Sequence, residues 1–292
     1  MLNEEIASSI DAFPPSKIAE QAENVGVIKA DLDFWTLLVL AILAGAFIAL
    51  GAMFSTTVTA GAEGSIYFGL GKLLGGLSFC LGLILVVVAG AELFTGNNLI
   101  IMAFVSGKVT VRKLLRNWMI VYLGNFIGSI ATAGIMFQCG RYKLGHGVIW
   151  LNALNIASIK CSKPFLDLLA LGIMCNALVC LAVWLCLGAR STTDKILSII
   201  FPITAFVAAG FEHCVANMYF IPGALLVKSW SPPEFWQIIS KTAADFPNLT
   251  WHNFFFVNLI PVTLGNIIGG SLLVGLVYWF AYRREHGWHI QF

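Results

Sequence analysis

Long stretches without a charged residue constrain this chain more than any other feature of its sequence. A helix needs about 20 apolar residues to cross a bilayer, and several stretches exceed that length. They are residues 34–62, 117–140, 168–189 and 254–282. Charged residues make up 11% of the chain, whereas soluble domains contain about 25%. The sequence therefore predicts an all-α membrane protein.

Two further apolar stretches are each interrupted by an ionisable residue. Residues 73–107 contain Glu92, and residues 196–227 contain Glu212 followed by His213. An ionisable residue at mid-membrane costs about 2.5 kcal/mol or more to insert and usually has a function. Non-helical backbone at that depth occurs only where it is buried in protein or lines a cavity. We therefore expect broken second and fifth spans among six transmembrane helices.

The two broken spans match each other in sequence. The pattern Gly-x-Glu-x4-Asn begins at Gly90 and again at Gly210. The third and sixth spans also match, with Leu-Gly-Asn-Phe-Ile-Gly-Ser at 123–129 and Leu-Gly-Asn-Ile-Ile-Gly-Gly at 264–270. Three spans per copy require the second copy to be inverted in the membrane. Inverted repeats with broken helices are typical of transport proteins, so we expect an inverted 3+3 repeat.

Positive charges in the loops indicate the orientation. Lysine and arginine concentrate in cytoplasmic loops, and the loop at 106–116 contains Lys108, Arg112, Lys113 and Arg116. This pattern favours both termini in the cytoplasm.

Three regions follow from this topology. Residues 1–33 form a cytoplasmic N-terminal segment, residues 34–282 the transmembrane channel domain, and residues 283–292 a cytoplasmic tail. Apolar residues alternate with charges over 5–29, which predicts an amphipathic helix along the inner membrane face.

Composition and motifs argue against other classes of protein. The net charge is only +2, far too small for a nucleic-acid partner. The seven cysteines lack the paired spacing of disulfide frameworks or zinc sites. The sequence contains no nucleotide motif and no nucleophile–base pair. We expect no enzymatic activity, no cofactor and no metal.

The residues at the two breaks resemble those of a known family. Ala-Glu-Leu-Phe-Thr-Gly-Asn at 91–97 and Gly-Phe-Glu-His-Cys-Val-Ala-Asn-Met-Tyr-Phe-Ile-Pro at 210–222 are similar to the two signatures of the formate/nitrite transporter family. The resemblance extends from about Lys17 to Arg284, and residues 231–236 and 258–270 resemble the formate-channel branch. It implies an aquaporin-like protomer, a homopentamer in the bacterial inner membrane, and one pore per protomer for formate and similar anions.

The resemblance also assigns site residues by position. It implies that His213, Thr95 and Asn266 lie at the pore centre and that Lys160 draws anions into a vestibule. It implies an outer constriction at Phe79 and Phe206, an inner constriction at Leu83, Phe94 and Val179, and Leu93 in the same loop as Thr95. Thr95 can also cap the half-helix that follows it, a role compatible with facing the pore.

The two glutamates at the breaks favour a structural role. Bare carboxylates at the centre of an anion pore would repel its substrate. We expect Glu92 and Glu212, with Asn97 and Asn217, to hold the breaks in place. Backbone N–H groups that donate to each carboxylate would offset the cost of its burial.

The expected function is a channel for formate and related anions, with a pH dependence that comes from His213, because histidine titrates near neutral pH. His213 would either protonate the substrate or, when charged, pair with the anion. Nitrite, acetate, lactate and hydrosulfide are further candidate substrates, and a cytoplasmic formate-metabolising enzyme is a candidate partner. A nitrite or hydrosulfide channel on the same scaffold remains an alternative. A neutral-solute pore of the aquaporin type is a weaker one, because neither Asn97 nor Asn217 begins an Asn-Pro-Ala box.

Overall fold

Every regular element in the described part of the chain is helical. The computed structural model describes residues 11–62, 66–140 and 144–284. In chain order the helices are α1 (Pro15–Asp31), α2 (Phe34–Val58), α3 (Phe68–Gly90), α4 (Phe94–Val105), α5 (Val111–Gln138), α6 (Val148–Lys160), α7 (Phe165–Gly188), α8 (Thr192–Ala208), α9 (Cys214–Trp230), α10 (Pro233–Ile239) and α11 (Asn253–Tyr282).

Five of these helices are long and apolar enough to cross a membrane, namely α2, α3, α5, α7 and α11. They confirm an all-helical, multi-pass membrane protein. The predicted fifth span is divided into α8 and α9, which have 17 residues each. Parts of the predicted terminal segments, residues 1–10 and 285–292, lie outside the described residues.

Local capping sets where the first and third spans begin. The Asp33 carboxylate accepts the backbone N–H groups of Trp35 and Thr36 at 3.0 and 3.1 Å, which satisfies two of the N–H groups that a helix start leaves free. The Thr110 hydroxyl caps α5 in the same way. The third span therefore begins at Val111, earlier than the predicted residue 117, because the basic residues of the loop form its first turns.

Both breaks fall where the sequence places them, and each begins with a left-handed glycine. Gly90 has φ +85° and Gly210 has φ +73°, a region that side chains with a Cβ rarely adopt. A Cβ at either position would meet no atom within 4 Å, so conformation and not space requires glycine there. The chain then runs extended for a few residues before α4 or α9 begins.

The sequence does not predict α6, which contacts α9 and α2. Its 13 residues are too few for a span, so its apolar residues give no membrane signal. Its contacts make it the counterpart of α1: Asn117 of α5 donates to the carbonyl oxygen of Lys29 in α1, and Asn258 of α11 donates to that of Lys160 in α6, both at 2.9 Å.

A buried carboxylate attaches α1 to the ends of two other helices. Glu23 is 1% exposed, although an amphipathic pattern would place it in solvent. It accepts hydrogen bonds from Ser106 and Lys108 at 2.6 Å and a two-pronged pair from Arg283 at 3.1 Å. Burial by itself would raise the pKa of Glu23, but the hydrogen bonds from Arg283, Lys108 and Ser106 hold that pKa below its usual value.

Replacing this carboxylate is expected to detach α1. Breaking a buried ion pair costs about 3 kcal/mol or more, so Glu23→Gln should accelerate amide hydrogen exchange in α1 by roughly a hundredfold. Because folding lowers the pKa of Glu23, its contribution is present at neutral pH and is lost as the pH falls through the folded-state pKa, below 4.5. In the wild type, the protection of α1 amides from hydrogen exchange should fall in that pH range. In Glu23→Gln, this protection should not change with pH.

Glu20→Gln is the matched control. Glu20 lies on the same helix and pairs only with the half-exposed Lys17 in the described contacts, at 2.8 Å. Exposed pairs contribute about 0–1 kcal/mol, so exchange in α1 should hardly change. Equal effects of the two substitutions would contradict the proposed role of Glu23.

Candidate functional site

The two breaks bring Thr95 and His213 into direct contact. Thr95 lies in the first turn of α4, and His213 precedes α9. The Thr95 hydroxyl and His213 Nε2 are 3.0 Å apart, and both residues are buried. His213 Nδ1 accepts the backbone N–H of Ala216 at 3.0 Å. Because Nδ1 is an acceptor, the neutral ring carries its proton on Nε2 and donates it to Thr95.

Side chains at the first break form a closed hydrogen-bonded cluster around Glu92. Lys29 Nζ and Asn97 Nδ2 each donate to one carboxylate oxygen at 2.7 Å. Lys29 also donates to Asn97 Oδ1 at 3.1 Å, and Asn97 donates to Asn117 at 2.9 Å. One lysine therefore balances one carboxylate.

The second break repeats this cluster with an extra cation. Glu212 accepts hydrogen bonds from Lys160 at 2.8 Å, Lys163 at 2.7 Å and Asn217 at 2.9 Å. Asn217 also donates to Asn258 at 2.8 Å. Asn217 Oδ1 is buried without a partner, whereas the equivalent atom of Asn97 accepts from Lys29.

The prediction that backbone N–H groups donate to these two carboxylates is wrong. In the described contacts, lysine and asparagine side chains donate to Glu92 and Glu212. The backbone N–H of each glutamate instead donates to a neighbouring span, to Leu40 at 3.2 Å and to Leu171 at 3.3 Å. Local sequence could not show lysines that lie 63 and 52 positions away.

Two equivalent asparagines fix the extended segments. Asn125 donates to the carbonyl oxygen of Glu92 at 2.9 Å and accepts the N–H of Phe94 at 2.9 Å. Asn266 donates to the carbonyl oxygen of Glu212 at 3.0 Å and accepts the N–H of Cys214 at 2.9 Å. Asn266 therefore binds the backbone of the residues on both sides of His213, and its side-chain amide is occupied by these backbone groups. The Leu-Gly-Asn motif occurs in both halves of the sequence, and this repeat identifies Asn125 as the counterpart of Asn266.

A cavity of about 480 Å³ opens above the pair; we call it the vestibule. Its described lining includes His213, Phe79, Phe206, Lys72, Lys160 and Lys163. The Phe79 and Phe206 rings meet edge to face at 5.5 Å, and Phe206 stacks on His213 at 6.0 Å. The residues predicted for the outer constriction thus lie beside His213. Lys160 is in the wall, where it binds Glu212.

The residues predicted for the inner constriction are buried in one hydrophobic cluster. This cluster contains Leu83, Leu93, Phe94 and Val179. The Phe94 ring packs edge-on against Tyr122 at 4.9 Å. Tyr122 shares a hydrogen bond of 2.9 Å with Thr263, and no local sequence pattern predicts this pairing across 141 positions.

The described residues contain no group of three or more His, Cys, Asp or Glu side chains that could hold a metal ion. The charged groups at the breaks are instead occupied by one another.

Comparison with known proteins places this geometry in a family. The formate/nitrite transporter family matches residues 16–280. The chain is 44% identical to the formate channel FocA of Escherichia coli (strain K12) over 96% of this chain and 98% of that protein. It is 41% identical to FocA of Haemophilus influenzae over 94% and 97% of the two chains.

A solved structure agrees with the sequence relatives. A pentameric formate channel with formate bound superposes with a TM-score of 0.81 at 47% identity, covering 85% of this chain and 97% of that one. The sequence-based family assignment is thus confirmed. The chain belongs to the formate/nitrite transporter family.

Proposed function

We propose that this chain is a channel for formate and related small monovalent anions, with a pore centred on Thr95 and His213. The observation that carries the proposal is the hydrogen bond between these two residues, with His213 in the wall of a lysine-lined vestibule. The relatives named as formate channels support formate as the substrate. The pentameric neighbour supports a homopentamer.

The architecture we infer is an aquaporin-like, inverted 3+3 repeat with six spans. Broken span two is α3 with α4, and broken span five is α8 with α9. The equivalent contacts at Glu92 and Glu212 and at Asn125 and Asn266 support the repeat. An inverted copy places α1 and α6 on opposite faces, with α1 and both termini in the cytoplasm and residues 34–282 in the bacterial inner membrane.

The apolar residues that flank the pair would form the barriers to ions. Phe79 and Phe206 form the outer constriction, and Leu83, Phe94 and Val179 the inner one. Leu93 supports the same loop from within the core. A bare carboxylate that enters such an apolar passage loses its hydration at a cost of many kcal/mol. A hydrogen-bond donor between the two constrictions lowers this desolvation cost at the point where it is largest.

His213 and Thr95 supply that donor. In the neutral tautomer, Nε2–H can turn from the Thr95 hydroxyl to an arriving anion. A second proton would occupy Nδ1, displace the Ala216 N–H and leave a cation that pairs with the anion or protonates it. Protonating a carboxylate of pKa near 4 at pH 7 costs roughly 4 kcal/mol, which is less than its full desolvation. Either version makes flux depend on the titration of His213.

The charged clusters at the breaks have a structural role in this proposal. Lys29 and Asn97 hold Glu92, while Lys160 and Asn217 hold Glu212, so that neither carboxylate faces the anion unpaired. The half-helices α4 and α9 then begin near one point. Their positive dipole ends favour a small anion there.

The exposed face of α1 offers a cytoplasmic docking place for a formate-metabolising enzyme. Ile28 on this face is 64% exposed. We propose no catalytic activity for the channel itself.

Flux into proteoliposomes tests the proposed function. We expect rapid entry of formate, slower entry of nitrite and no entry of glycerol, because the site offers an anion a hydrogen-bond donor between apolar rings. Entry of nitrite or hydrosulfide that is faster than entry of formate would indicate a nitrite or hydrosulfide channel on the same scaffold. Entry of glycerol without anions would contradict the proposal.

A further inference from the structure

The two glutamate clusters are equivalent in position but differ in charge. Lys29 corresponds to Lys160, because each binds the break glutamate by its side chain and an asparagine by its carbonyl oxygen. Lys163 lies three residues after Lys160, and Leu32 lies three residues after Lys29. Lys163 therefore corresponds to Leu32 of the first half. The first cluster is neutral, whereas Glu212 has two lysines and the second cluster carries +1.

The extra charge lies on the wall of the vestibule. Lys72, Lys160, Lys163 and Glu212 all line this cavity, and Glu212 is the acidic residue among the described lining residues. Three cations and one anion give the described lining a net charge of +2. Lys163 retains 26% exposure of its side chain while its Nζ contacts Glu212, so this side chain contacts both the carboxylate and solvent.

We propose that Lys163, whose charge is not needed to balance Glu212, is an anion-capturing residue of the vestibule. Lys160 alone neutralises Glu212, as Lys29 alone neutralises Glu92, so the charge of Lys163 is left to attract anions. A surplus positive charge in a cleft raises the local concentration of anions. The proposal rests on the proposed function, because it concerns the same pore, and it makes capture from the vestibule side stronger than capture from the α1 side.

The test compares Lys163→Leu, which recreates the residue of the first half, with Lys163→Arg, which keeps the charge. Lys241→Leu is the matched control, since Lys241 is exposed and does not line the vestibule. Initial formate uptake is measured against external formate concentration in right-side-out vesicles. The ionic strengths are about 10 mM and about 1 M, where the screening lengths are roughly 30 Å and 3 Å.

We expect Lys163→Leu to raise the half-saturating formate concentration about twofold to threefold at low salt, the size of one charge acting across several ångströms of water. The difference should vanish at high salt, and Lys163→Arg and Lys241→Leu should match the wild type. In inside-out vesicles Lys163→Leu should have no effect on half-saturation. A merely structural role would lower the amount of folded channel but would not create this salt dependence.

The proposal for Lys163 would be overturned if Lys163→Leu had the same half-saturating formate concentration and the same salt dependence as the wild type. Absence of formate uptake by the wild type would instead overturn the proposed function. If size-exclusion chromatography shows that Lys163→Leu does not assemble, Lys163→Gln, which keeps a polar contact to Glu212, replaces it with the same expected result.

Discussion

Gly128→Ala is expected to prevent stable folding. Gly128 lies where α5 crosses α2, and a Cβ there would collide with the carbonyl oxygen of Ile42 and lie 2.9 Å from the backbone nitrogen of Ala46. Both atoms belong to helical backbone that cannot rotate away, so the two spans would have to separate. Overpacking of this kind costs about 3 kcal/mol or more, which should be seen as loss of the monodisperse peak in thermal size-exclusion experiments.

Gly134→Ala is the control on the same helix. A Cβ at Gly134 would meet no atom within 4 Å, and alanine favours a helix over glycine by up to about 1 kcal/mol. We expect unchanged or slightly raised thermal stability. Gly269→Ala should behave like Gly128→Ala, because a Cβ there collides with the carbonyl oxygen of Ile173. Equal stability of the Gly128 and Gly134 variants would show that close approach of α2 and α5 is not required.

His213→Asn is expected to abolish the pH dependence of formate flux. Asparagine is a good N-cap, so it can still accept the Ala216 N–H that His213 Nδ1 accepts at 3.0 Å, and α9 should remain intact. Asparagine cannot be protonated, so the variant has no side chain at this position whose charge changes with pH. Between pH 5 and pH 8 the wild-type flux should change by about tenfold or more, because the charged fraction of a histidine falls roughly tenfold per pH unit once the pH is above its pKa.

Thr95→Ser is the control for the pair. Serine keeps the hydroxyl that lies 3.0 Å from His213 Nε2, so both the flux and its pH dependence should stay close to wild type. Thr95→Val keeps the shape but removes the hydroxyl, and it should lower the flux while leaving a pH dependence. The two variants separate hydrogen bonding at the pore centre from titration of the histidine.

The sequence predicts the scaffold well because its signals are local. Apolar runs locate the spans, glycines mark the breaks, and the repeated motifs pair Glu92 with Glu212. The lysines that bind these carboxylates lie 63 and 52 positions away, so their pairing depends on the packed structure. The buried position of Glu23 cannot be read from the sequence for the same reason, because its partners lie just after α11 and in the loop after α4.

The centre of the site is the place where the two halves differ. Counting from the equivalent glutamates, His213 corresponds to Leu93 and Thr95 corresponds to Val215. His213 caps α9 by its side chain, whereas the residue before α4 makes no side-chain cap. Repeated contacts thus hold the two breaks together, and single substitutions in each half supply the polar pair between them.

The most direct test is the pH profile of formate flux in proteoliposomes that contain wild-type protein or His213→Asn at equal reconstituted amounts. We expect a profile with a change of about tenfold or more between pH 5 and pH 8 for the wild type. We expect a profile that is flat within about twofold for the variant. An unchanged pH profile in His213→Asn would contradict both protonation of the substrate by His213 and pairing of the charged ring with the anion.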